Sequence, residues 1–235
     1  MYAAAYCDSE QQQAQATLRR IEQEWPLRGS ADPLSTYVQN LVQRLGEHVA
    51  QNSAVAWRVS VVRNHAPNAF SIGNGHIFVT DGAFRFARTE AEFAAILGHE
   101  MGHQLAGHFC LGRSNPGNGM LGWIDDLFGG ANDPSSSNVR RQGIGSLMQH
   151  IDPAKEIRAD RWAAFLLRKA GYAPSAMGDV IDRLPKEGSS TIARDRQRVA
   201  ALEQYMKQYS DGSPEKPKPD SREFRQLKRL VEAEQ

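Results

Sequence analysis

Apolar residues along the chain recur at two periods, and the changes between them mark the elements. From about 8 to 25 a polar stretch carries Leu18, Ile21 and Trp25 at helical spacing and stops at Pro26, which predicts an amphipathic helix. Asp32-Pro33 supplies a cap and a first-turn proline. Leu34, Tyr37, Val38, Leu41, Val42, Leu45 and Val49 then form the stripe of a second helix running to about 51, with Gln39, Gln43, Glu47 and His48 on its solvated side. Residues 57–63, WRVSVVR, alternate and are rich in β-branched side chains, so a strand is predicted. After a loop over 64–68, the segments 70–72, 73–75 and 76–80 predict a hairpin or bulged ribbon.

The stretch 89–108, TEAEFAAILGHEMGHQLAGH, is apolar around most of a helical circumference, and Thr89 with Glu92 offers a capping box. It is therefore predicted to be buried. Past His108 the chain is rich in glycine, serine and proline as far as 146, and 112–149 is read as a flexible, lid-like insertion. Within it, Trp123, Ile124, Leu127 and Phe128 suit covering a cleft, packing on the core, or touching a membrane surface. Asp152-Pro153 opens a further helix over 154–170 that is mostly apolar, and helices are predicted over 174–184 and 191–209. Residues 210–235 begin with a charged, proline-rich run and read as a polar, flexible tail; 224–232 allows an amphipathic turn or two. The elements add up to a mainly helical α+β domain over 1–209 with a small antiparallel sheet beside the helix at 89–108.

Composition changes this picture little. The chain has 235 residues, 40% hydrophobic and 23% charged, which fits one globular domain. A net charge of +1 gives no footprint for nucleic acid. No apolar run approaches the length of a membrane span, and the N-terminus has neither the basic nor the apolar region of a signal peptide. The two cysteines, Cys7 and Cys110, have no metal-knuckle spacing. Cys7 is read as a surface thiol or as a lipid-attachment site, which leaves lipid-anchored or peripheral membrane association open.

The chemistry sits in the apolar helix. His99 and His103 are four residues apart on one face, with Glu100 beside them, in the pattern H-E-x-x-H. Both imidazoles can reach one zinc ion while Glu100 acts as general base toward water. Buried ionisable groups are costly unless paired or metal-bound, and the helix over 154–170 carries two more, Glu156 and Asp160, again four apart. Glu156 as third ligand completes a His-His-Glu site with a position open for water, the arrangement of catalytic zinc. Asp160 then accepts a hydrogen bond from the far nitrogen of a ligating histidine. The ribbon over 76–80 (His76, Ile77, Phe78, Val79, Thr80) precedes the helix and is assigned either as an edge strand to which substrate adds or as a structural hairpin.

In order and spacing, NAFSIGNGHIFVTDGAF, HEMGH and EIRAD resemble the zinc peptidase family of HtpX-type heat-shock proteases, which includes CAAX-prenyl endopeptidases, mitochondrial Oma-type proteases and soluble bacterial quality-control proteases. The resemblance covers roughly 68–199 and is to gluzincins; a metzincin would need histidine where Phe109 stands. It implies one zinc per chain held by His99, His103 and Glu156, catalysis by Glu100, Asp160 behind the ligands, and cleavage of extended or unfolded protein substrates in quality control. It also implies the bacterial periplasm or envelope as location, with the cytoplasm as alternative. His108 matches a family histidine with a structural or supporting role. Arg198 matches a family arginine, which adds positive charge near the cleft or pairs with Asp160 or Glu156. The family histidine and proline before that arginine are here Ile192 and Ala193. That departure supports a competing expectation, a zinc-containing chaperone-like module that binds chains without cleaving them.

Overall fold

The structure, a computed structural model, describes residues 8–49, 55–109, 152–186, 188–209 and 217–234. Helix α1 (Asp8–Glu24) leads to α2 (Pro33–Gly46), where Asp32 Oδ1 accepts the N–H groups of Leu34 and Ser35 as the sequence predicts. α2 ends about a turn early, at the place where Trp57 closes on it: a Cβ on Gly46 would lie 2.6 Å from the indole ring. Gln39 and Gln43 do more than face solvent. Both donate to the Trp57 carbonyl, and Gln39 accepts the Val59 N–H, tying α2 to β1 (Arg58–Val62).

The hairpin is present as β2 (Ala69–Gly73) and β3 (His76–Thr80), paired antiparallel around a turn in which Gly73, Asn74 and Gly75 all have positive φ. β1 adds to it in parallel, so the sheet is mixed with order β1-β3-β2. This corrects the edge-strand assignment for His76, Ile77, Phe78, Val79 and Thr80: β3 is the central strand and both its sides are paired. The edge strand near the apolar helix is β2, all five of whose residues are buried. Alternation sorts the strand residues into two cores. Val61, Ile77 and Val79 join the main cluster with α2, while Val62, Phe70, Ile72 and Phe78 pack with Ala14 and Ile21 of α1.

Helix α3 (Asp81–Phe86), capped by Thr80, leads to α4 (Glu90–Leu105), capped by Thr89. α4 is buried along nearly its whole length, as its pattern predicts. Its principal partner is α5 (Pro153–Lys169), and the two approach through small residues. A Cβ on Gly102 would meet the Ala159 carbonyl at 2.6 Å, and one on Gly98 would meet the Ala163 Cα at 3.3 Å. α6 (Ala176–Arg183) and α7 (Gly188–Gln208) complete this side.

The last part of the expected flexible tail is a helix instead. α8 (Arg222–Ala233) buries Phe224, Leu227 and Val231, with the Phe224 ring 5.3 Å from that of Phe84. Lys228 Nζ donates to the carbonyls of Phe84, Arg85 and Ala87 at 2.8, 2.5 and 2.8 Å, satisfying acceptors left open where α3 ends. Three apolar residues on one face suffice once a groove exists to receive them. The insertion at 112–149, Cys7, Cys110 and the run 211–216 lie outside the described residues.

Candidate metal centre

α4 and α5 bring together the three residues that spacing selects. His99 Nε2 and His103 Nε2 are 3.1 Å apart, and they lie 3.4 Å from Glu156 Oε2 and Oε1 respectively. One ligand atom from each of the three residues lies within 4.8 Å of the other two. His99 and Glu156 are each 1% exposed. Among the described residues neither oxygen of Glu156 has a hydrogen-bond partner; its contacts at 3.4 Å are electrostatic. A buried carboxylate without hydrogen bonds, facing two imidazole nitrogens that also face each other, is unfavourable on its own and is resolved by a cation at the point of convergence. The donor set of two imidazoles and one carboxylate suits zinc.

Behind this face Asp160 is paired on both sides. Asp160 Oδ1 lies 2.8 Å from His99 Nδ1. Arg198 on α7 grips Asp160 from the other side, with Nε donating to Oδ2 and Nη2 to Oδ1, both at 2.8 Å. Its Nη2 is also 3.5 Å from Glu156 Oε2. Of the two roles open for Arg198, the geometry places it in the pairing one: it holds Asp160 as an anion, and Asp160 in turn fixes the His99 ring. Burial opposes charge on Asp160, yet the Arg198 guanidinium and His99 keep its carboxyl below the usual range. Burial likewise opposes a charged His99, but Asp160 and Glu156 outweigh it and push that imidazole up to about 10. A nitrogen that ligates a cation carries no proton, so cation binding and protonation compete at His99. Glu156 is held well below the carboxylate range against its burial, chiefly by His103. Glu100 differs: burial dominates and pushes it up.

The centre opens beside Glu156 into a cleft lined by Leu184, Pro185, Thr191, Arg194, Asp195 and Arg198. Lys186 donates to Asp195 at 3.1 Å there. Ile192, adjoining Thr191, is 36% exposed, so the residue in place of the family histidine faces solvent. On the sheet side, the turn between β2 and β3 is tied to the metal helix: Gly75 N–H donates to Gln104 Oε1, while Gln104 Nε2 and the Asn74 N–H both donate to Glu10 Oε1. His76 to Thr80 take no part in the convergence. Sequence reasoning overlooked the Gly98–Gly102 contact, whose G-x-x-x-G spacing was visible, and the Glu10 link, for which no local signal exists.

Comparison with known proteins agrees with this geometry. The profile described as peptidase family M48 matches residues 34–206. The chain is 29% identical over 175 residues to the beta-barrel assembly-enhancing protease of Escherichia coli (strain K12), covering 67% of this chain and 35% of that protein. It is 33% identical over 103 residues to the mitochondrial metalloendopeptidase OMA1 of Schizosaccharomyces pombe, covering 43% and 30%. With the mitochondrial metalloendopeptidase OMA1 of Danio rerio it shares 41% over 81 residues, covering 33% and 17%. The chain thus spans about a third of the length of these relatives, or less.

Proposed function

Since the chain belongs to peptidase family M48, we propose that it is a zinc-dependent endopeptidase acting on extended or unfolded protein chains in protein quality control. The observation that carries this reading is the convergence of His99, His103 and Glu156, with both Glu156 oxygens buried and unbonded. The chemistry supplied by one zinc ion held there is polarisation of the scissile carbonyl and activation of water. Everything else falls to the chain's own residues. Glu100 takes the proton of the attacking water and returns it to the leaving amine; burial raises its carboxyl above the ordinary range. Asp160, anchored by Arg198, keeps the His99 proton on Nδ1 and leaves Nε2 free to ligate.

An extended substrate adds to β2. The Thr80 N–H donates to the Asn68 carbonyl, so Ala69 and Ser71, one step out of phase with that bond, turn their N–H and C=O groups away from β3. The cleft lined by Leu184, Pro185 and Thr191 receives a side chain next to the scissile bond. Among the described residues no helix is long and apolar enough to cross a membrane. Bacterial and mitochondrial relatives support a bacterial envelope location, with the cytoplasm as alternative. Ile192 favours the competing reading of a non-cleaving binder, whereas a buried Glu100 beside the ligands serves no purpose in one.

Metal analysis and incubation with casein test the reading. The protein and its Glu100→Gln variant are both expected to carry close to one zinc per chain, with cleavage slower in the variant by about 10²- to 10⁴-fold. Protein that takes up no zinc, or equal cleavage by both forms, would overturn it. Zinc loading and peptide binding without cleavage by either form would establish the binder.

A further inference from the structure

The way α4 ends places a third imidazole beside the centre. Gly107 has φ +70°, its N–H donates to the Gln104 carbonyl at 3.0 Å, and the His108 N–H donates to the His103 carbonyl at 3.1 Å. These paired bonds are a Schellman termination, which folds the residue after the left-handed glycine back over the residue five before it. Such a contact commonly joins two apolar side chains. Here it joins two histidines, with Nδ1 of His103 and Nδ1 of His108 3.1 Å apart and the rings at 73°.

Two ring nitrogens at that distance share one hydrogen. His103 Nε2 faces His99 and Glu156, and a nitrogen that ligates a cation carries no proton, so the His103 proton sits on Nδ1. Nδ1 then donates, and His108 Nδ1 accepts. His108 must keep its own proton on Nε2, which is buried without a hydrogen-bond partner among the described residues. That unfavourable placement is a cost that the contact with His103 offsets.

We propose that His108 is a positioning residue: by accepting the His103 Nδ1–H it fixes the tautomer and ring orientation that present Nε2 to the metal, as Asp160 does for His99. The inference rests on the metal-centre reading above. His103 thereby gets a neutral acceptor, supplied by the helix terminus itself, where His99 has an anion held by Arg198.

The test compares His108→Asn, whose Oδ1 stands where Nδ1 stood, with His108→Phe, which keeps a ring and loses the acceptor. Zinc affinity is read by competition with a chromophoric chelator, and the melting temperature of the metal-free protein is read alongside. His108→Phe is expected to bind zinc about 10- to 100-fold more weakly. His108→Asn should stay within a few-fold of wild type, and both metal-free forms should melt like wild type. Where phenylalanine lowers the metal-free melting temperature, His108→Ala serves as the acceptor-free variant. Unchanged affinity without an acceptor, equal loss in both variants, or three imidazoles on the zinc by X-ray absorption would overturn the proposal. Failure of the metal centre itself looks different: wild type would take up no zinc.

Discussion

Gly102 is the residue on which α4 and α5 meet. An alanine in a helix ordinarily gains about 1 kcal/mol over glycine. Here the added methyl would press on the Ala159 carbonyl and Cα at 2.6 and 2.9 Å, both backbone atoms of α5, so overpacking of about 1–3 kcal/mol decides the sign. Gly102→Ala is expected to lower the melting temperature and to weaken zinc binding, because Glu156 rides on the displaced helix. Gly98→Ala, whose methyl would meet Ala163 Cα at 3.3 Å, should stay within about 1 kcal/mol of wild type. Thermal unfolding and chelator competition on the two variants check the ranking. The ligands themselves were legible at this scale: a repeat of four in a buried helix puts His99 with His103, and Glu156 with Asp160, on single faces. Which histidine Asp160 serves was not legible, since it depends on how α5 is slid along α4. Nor was the edge-on approach of His108 to His103, which requires Gly107 to be left-handed.

Among the elements, β2 and β3 show where local pattern runs out. Alternation found the strands and the turn, but the order β1-β3-β2 arises from a parallel pairing across the turn and cannot be read from either strand. Substrate addition to β2 yields a direct expectation. Ala69→Pro removes an N–H that points away from β3, so it should depress kcat/KM on unfolded substrates while zinc content stays near wild type. Kinetics equal to wild type would remove β2 from the substrate path. α8 was obscured for a related reason. The proline-rich run before it resembles a tail, and its three buried apolar residues acquire meaning only from the groove that α2 and α3 provide.

At the scale of the whole molecule, the α4 N-terminus is joined to the segment before α8 through one buried acid. Glu90 accepts from the Ser221 N–H and from the Tyr172 hydroxyl, and lies 3.6 Å from Arg44 Nη2. Burial alone would raise its carboxyl, but these hydrogen bonds outweigh burial and lower it. A folded-state value below the unfolded one adds stability above the ordinary glutamate range, and that stability is lost as pH falls through the folded value. The urea midpoint should therefore drop as pH is taken below about 4.3, and Glu90→Gln should flatten that part of the profile. An unaltered acid limb in the variant would show that another group governs it.

The small-residue contact between α4 and α5 also bears on when the metal enters. Backbone atoms have no rotamers, so the frame carrying His99, His103 and Glu156 is complete as soon as the two helices pack, and a zinc ion bound there would join a finished scaffold instead of nucleating one. Coupled folding would register as a large negative heat-capacity change on binding. Calorimetric titration of the metal-free protein at several temperatures is expected to give a heat-capacity change near zero, with α-helical circular dichroism the same before and after loading.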